Sequence, residues 1–195
     1  MGAADRTKRM IASELKKLCK TIPLRKITVK TIVESCEINR GTFYYHFTDK
    51  QDLINYVYHE DVTVPLRILF NRGVEKWNDL TLNSLRFMYD AKEFYMQAFQ
   101  ITGQNDIQSF ILQEVKENWR IITRKYVEYY HGDVNTNYRY MYYISDYLAT
   151  GAVSMMVNWV LSGMKEPPEE IAMLLDLGSN YGLMKALDYI VELSK

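Results

Sequence analysis

Ile11, Leu15, Leu18 and Ile22 stand at i, i+4, i+7 and i+11, one apolar stripe that predicts a helix from about Asp5 to Lys20, ended by Pro23. In the next stretch, "LRKITVKTIVESCEI", Thr28 is placed to cap a short second helix whose inward face is Ile32 and Val33. Cys36-Glu37-Ile38 reads as a tight connector. Asn39 is a second good cap and opens a third helix through "RGTFYYHF". In that helix Phe43 and Phe47 are four apart, so both share the face packed on the first two helices. Thr48 with Gln51 fits a capping box, and a fourth helix continues as "DLINYVYHEDV".

Beyond this head the same periodicity predicts long helices over 53–70, 77–89, 107–130 and 138–163. A last helix follows Pro167-Pro168, where proline suits a first turn. Along it Ile171, Leu174, Leu175, Leu183, Leu187 and Ile190 read as inward, and Gly178 and Gly182 as breaks or kinks. The chain is therefore all-α. Tyr147 to Met164 carries no charge over eighteen residues, the lower limit for a membrane-spanning helix. Thr150, Ser154, Asn158 and Ser162 nevertheless recur every fourth residue as a polar stripe, which predicts a helix packed in protein instead.

With 195 residues the chain is long enough to bury a core, and its 4 prolines and 9 glycines leave no low-complexity segment. A net charge of zero conceals a division. Residues 1–50 hold eleven Lys/Arg against five Asp/Glu, a balance of +6, and the remainder holds thirteen against nineteen, a balance of −6. A basic head on an acidic body points one end at a polyanion. Cys19 and Cys36 form no metal-type pair and read as small apolar residues in a reducing cytosol. The charged start "MGAADRTKRM" has no apolar signal region, and Arg6 stands where myristoylation needs Ser or Thr.

Catalytic chemistry finds no footing. His46, His59 and His131 lie in unrelated contexts, and HExxH, CxxC, P-loop, GxGxxG and GxSxG patterns are absent. His59-Glu60-Asp61 is consecutive on a helix, so its side chains point apart and make no metal face. No enzyme activity, cofactor or metal is expected.

Two short helices joined by a tight turn inside a basic domain make a helix-turn-helix, whose second helix enters the DNA major groove N-terminal end first. Arg40 is shaped for guanine O6 and N7, and Thr42 or a tyrosine can touch a thymine methyl. Gly41 costs about 1 kcal/mol of helix propensity but lets the helix start approach DNA closely. Tyrosine hydroxyls, the His46 imidazole and Lys50 are suitable phosphate donors. Taken singly, Tyr44 and Tyr45 are ordinary surface aromatics; with the caps and the charge division they point to DNA.

Residues 5–60, above all "ITVKTIVESCEINRGTFYYHFTDKQDLI", resemble the N-terminal domain of TetR/AcrR-type transcriptional regulators, the "GTFYYHF" core followed by a lysine and "DL" being highly specific. The resemblance implies that Arg40, Gly41, Thr42 and Tyr45 face bases. It implies that Tyr44, His46 and Lys50 clamp phosphates, with Thr28 and Lys30 helping from the start of the preceding helix. Glu37 departs from the family pattern, standing where a glycine-centred turn is common. The resemblance further implies a DNA-binding domain over 1–50 and a C-terminal bundle over 51–195 that dimerises and holds an effector. The homodimer would act on a near-palindromic operator in the cytoplasm, associated with the nucleoid, as a repressor. Helices 138–163 and 168–193 are the pair assigned to a four-helix dimer interface. "TGAVSMMVNWVLSGMKEPPEEIAMLL" also resembles a subgroup that includes the activator of dihydroxyacetone kinase genes, some of which answer to protein partners instead of small molecules. The alternative is therefore a transcriptional activator or an adaptor controlled by a protein partner instead of a small molecule. Trp77, Phe87, Tyr95, Phe99, Trp119, Tyr126, Tyr129, Tyr143 and Tyr147 either line an effector cavity or form core; no ligand follows from them.

Overall fold

The structure, a computed structural model, describes residues 2–71, 77–103, 106–131 and 138–193, and among these every regular element is helical. The order is α1 (Ala3–Leu18), α2 (Val29–Ser35), α3 (Arg40–His46), α4 (Lys50–Tyr58), α5 (Val64–Asn71), α6 (Trp77–Asp90), α7 (Lys92–Ala98), α8 (Ile107–His131), α9 (Tyr138–Leu161) and α10 (Pro168–Leu193). A 3-10 turn, Leu24–Lys26, precedes α2, and a π-helical turn, His59–Thr63, joins α4 to α5. The helix expected over 53–70 is thus interrupted, and α7 is an element the periodicity did not reveal. The chain divides into two compact units, Met1–Glu75 with Asn83–Ile107, and Lys76–Leu82 with Gln108–Lys195.

In the first unit the stripe of α1 turns inward: Ile11 and Leu15 are fully buried, while Leu18 and Ile22 near the helix end are half-buried. α1 packs on α2 and α4, and α2 on α3. Between them lie Leu24, Ile27, Ile32, Val33, Phe43, Phe47, Leu53 and Ile54, all buried. Each such large side chain contributes about 1.5–3 kcal/mol of transfer free energy, so this small head has a core of its own. Polar ties close its edges. Lys16 Nζ donates to both oxygens of Asp61 at 2.7 and 2.9 Å, and Arg9 pairs with Glu60 at 2.6 Å. Two of the three members of His59-Glu60-Asp61 are thereby structural ion-pair partners. From α7, buried Tyr95 donates its hydroxyl to Asp61 at 3.3 Å.

The caps follow the sequence with one shift. Thr28 Oγ1 accepts from Thr31 N at 3.2 Å, and Asn39 Oδ1 from Thr42 N at 2.7 Å. At α4, however, the cap is Asp49, accepting from Asp52 N at 2.8 Å, while Thr48 gives its N–H to Asp52 at 2.9 Å. A carboxylate caps as well as a hydroxyl and is further favoured by the positive end of the helix dipole, so it displaces Thr48 from that role.

In the second unit, among the described residues, Trp119, Val127, Met141, Ala149 and Val191 form a buried cluster, and α9 packs along α10. Thr123 and Ser145 share a buried 2.7 Å hydrogen bond, and Arg120 grips Asp146 through two bonds of 3.1 and 2.7 Å, pinning α8 to α9. α10 runs unbroken through Gly178 and Gly182. Two glycines cost about 1 kcal/mol each, which a 26-residue helix packed on a partner withstands. Leu174, read as inward, is 46% exposed, whereas Ile171 and Leu175 are buried; the side chains of Leu183, Leu187 and Ile190 lie outside the described set. Thr150, Ser154, Asn158 and Ser162 are exposed, and no described helix is long and apolar enough to cross a membrane.

Candidate nucleic-acid interface

The orientation of α3 is set by how α2 stops. Ile38 N donates to Val33 O at 3.0 Å and Glu37 N to Glu34 O at 3.3 Å, the paired bonds of a Schellman turn. Such a turn needs a left-handed residue, and Glu37 supplies it at φ +53°. The glutamate therefore adopts the conformation glycine would have taken, and the departure from the family pattern leaves the turn intact. Half-buried Ile38 follows, and Asn39 then opens α3.

Phe43 and Phe47 point inward, with ring centroids 5.7 Å apart, and this fixes what points out. Arg40 and Gly41 are exposed, Thr42 half-buried, Tyr44 56% and Tyr45 81% exposed. Exposure of two large aromatics on a helix this short is a marked departure from what burial favours, and it leaves their hydroxyls and ring faces to solvent. His46 is half-buried, edge-on to Tyr45 with centroids 4.9 Å apart, so its ring is partly spoken for. A Cβ on Gly41 would lie 3.1 Å from Asn39 Oδ1, the atom that caps the helix. The absent side chain thus makes room for the cap, a local reason beside close approach to a ligand.

At the start of α2, exposed Thr28 uses its hydroxyl as cap, and Lys30 is an exposed cation with a loose 3.8 Å pair to Glu34. Lys50, expected to clamp phosphate, is bonded within the head. Its ammonium is half-buried and donates to Leu24 O at 3.0 Å and Ile27 O at 2.8 Å, so two of its three protons are used within the head. Burial also holds its pKa below the ordinary lysine range, and the nearby Cys19 acts weakly in the opposite sense. Thr28, Lys30, Arg40, Thr42, Tyr44 and Tyr45 therefore form the outward set, with His46 at its edge and Lys50 beneath it.

Sequence reasoning missed Gln97 of α7, which bonds Leu24 N at 2.7 Å. A lone glutamine seventy-three positions away in the chain carries no motif that could have revealed it.

Residues 16–57 match the family described as bacterial regulatory proteins, tetR family, and residues 75–177 match that described as transcriptional regulator C-terminal region. The chain is similar to the HTH-type dhaKLM operon transcriptional activator DhaS of Lactococcus lactis subsp. lactis (strain IL1403), with 26% identity over 107 residues. That match spans 55% of this chain and 56% of that protein, little more than half of either. Among solved structures it is similar to a dihydroxyacetone kinase operon activator DhaS, with a TM-score of 0.64 and 18% identity across 96% of this chain and 97% of the other. At that identity the likeness shows the fold.

Proposed function

The chain belongs to the TetR family of DNA-binding transcriptional regulators, and from that premise we propose that it reads DNA as a homodimer, with α3 of each subunit in a major groove of a near-palindromic operator. The observation that carries this is the division of α3 and its C-cap into a buried side, Phe43 and Phe47, and an outward side of exposed Arg40, Tyr44 and Tyr45 with half-buried Thr42. Arg40, Gly41, Thr42 and Tyr45 meet base edges; Tyr44, His46, Thr28 and Lys30 meet phosphates; Lys50 acts from beneath by holding the turn before α2. Residues 1–50 supply the DNA surface and 51–195 the dimer contacts and effector control, with the protein working in the cytoplasm at its DNA.

Dimer contacts are assigned to α9 and α10. Tyr143, Tyr147, Met155 and Leu161 of α9 and Met173, Leu174 and Leu177 of α10 are all more than a third exposed, an apolar surface a lone subunit has no use for. A groove of about 760 Å³ lies along it, lined by Tyr147, Gly151, Met155, Leu174 and Gly178 among others. An effector, small molecule or protein, acts on the C-terminal region by changing the separation of the two heads, which requires differential affinity for the two arrangements.

The direction of regulation has two readings. The sequence led to an expectation of repression. The activators named above favour the second, in which binding turns transcription on. A reporter placed behind the recovered operator separates them by the sign of its response.

Salt titration tests the DNA reading. Affinity for a duplex is expected to fall linearly in log–log form with a slope of about −0.9 per phosphate contact. Binding indifferent to salt contradicts it.

A further inference from the structure

Gln97 belongs to α7, within the stretch that matches the C-terminal-region family, and yet its side chain is bonded to the connector between α1 and α2. Its Oε1 accepts from Leu24 N at 2.7 Å, and its Nε2 donates to Cys19 O at 3.0 Å. The same nitrogen donates to Glu93 O, one turn back on α7, at 3.0 Å. The acceptor and both donors of the carboxamide are thus in use, and a flipped amide would set oxygen against oxygen. From another side, Lys50 donates to Leu24 O and Ile27 O at 3.0 and 2.8 Å. The connector is therefore held through Leu24 N–H by α7 and through Leu24 C=O by α4. Leu24 and Ile27 are each 1% exposed, so these backbone groups have little access to water as a substitute partner.

The connector ends at Thr28, the cap of α2, with Lys30 two residues beyond. Both belong to the outward set. Hydrogen bonds to phosphate form only within a limited range of distance and angle, so what fixes the connector fixes how these two groups are offered.

We propose that Gln97 is a positioning residue for DNA binding: by bracketing Leu24 N–H and Cys19 C=O it locks the connector in the register that presents Thr28 and Lys30 to phosphate. It touches no DNA itself. The proposal rests on the DNA-binding reading above, and it makes the competence of the head depend on the seating of α7.

The test uses the full chain and a duplex recovered with the unmodified chain from a random library. Gln97→Leu keeps the bulk of the stem and removes both polar groups. Gln97→Glu keeps the shape and the acceptor but turns an oxygen toward Cys19 O. Both are expected to bind about tenfold more weakly per folded molecule, the equivalent of losing one or two internal hydrogen bonds. The salt slope is expected to fall by no more than about one unit, because Lys30 is the one phosphate-facing cation that the connector presents. In Gln97→Leu, hydrogen exchange at the Leu24 amide is expected to quicken. A residue that merely stabilises the fold lowers the melting temperature and leaves the affinity of the folded fraction intact; that pattern overturns the proposal. Equal affinity of variants and unmodified chain overturns the role of Gln97 alone. Failure of the unmodified chain to recover any duplex at low salt overturns the DNA reading and this proposal together.

Discussion

The ammonium of Lys50 stands 2.8 Å from the carbonyl oxygen of Ile27 and 3.0 Å from that of Leu24, so the first residue of α4 is bonded to the turn that leads into α2. Lys50→Met keeps the stem and leaves both buried carbonyls without this donor. A loss of about 1–3 kcal/mol is expected, read as a melting temperature several degrees lower. The salt slope of DNA binding is expected to be nearly unchanged. An unchanged melting temperature with a slope smaller by about one unit would instead make the lysine a phosphate clamp.

Glu37 holds φ at +53°, a conformation that crowds Cβ against the following carbonyl at about 1–2 kcal/mol. Glu37→Gly removes that strain and adds back some unfolded-chain entropy, about 0.4–1 kcal/mol. A net stabilisation of about 0.5–1 kcal/mol is expected in urea denaturation, with DNA affinity unaltered. Destabilisation would show that the exposed carboxylate makes a contact outweighing the backbone strain.

Most of the head was legible because its information is local. Phe43 and Phe47 at i and i+4, and Thr28 and Asn39 each capping three residues ahead, are short-range patterns, and the structure carries all of them. What escaped depends on distance in sequence. The brackets of Gln97 on Leu24 and of Asp61 on Lys16 join residues 73 and 45 positions apart, and no spacing rule reaches that far. The charge of Lys50 suits phosphate, but no local pattern shows that its ammonium also bonds the carbonyls of Leu24 and Ile27. Leu174 was read by helical period, but a helix that is apolar on two faces leaves the period unable to say which face is covered.

Arg40→Ala is expected to lose about 1–3 kcal/mol of DNA binding and to relax base choice at one operator position. Lys30→Ala, in contrast, is expected to weaken binding to all duplexes alike and reduce the salt slope by about one unit. Competition titrations with single-base operator variants at several salt concentrations distinguish the two. Retained sequence preference in Arg40→Ala contradicts its assignment to a base.

Burial pushes the thiol of Cys19 up to about 11, with Lys50 opposing weakly, and pushes that of Cys36 to about 11, reinforced by Glu14. The protonated thiols are favoured in the folded state, so the unfolded chain binds fewer protons between its ordinary value near 9 and about 11. Stability is therefore present below pH 9 and is lost as pH rises through that window. Alkylation by iodoacetamide at pH 8 is expected to be slow at buried Cys19 and faster, though below the rate of a free thiol, at half-buried Cys36. Reaction of Cys19 at the rate of free cysteine contradicts its place in the core.

Selection of binding sequences from a random duplex library, run in parallel with the unmodified chain and with an Arg40→Ala/Tyr44→Ala double variant, tests whether α3 reads DNA. The unmodified chain is expected to recover an inverted repeat with half-sites about one helical turn or more apart, and the double variant to lose it. Absence of enrichment at low salt, or the same motif recovered by the double variant, would contradict the assignment of α3 as the DNA-reading helix.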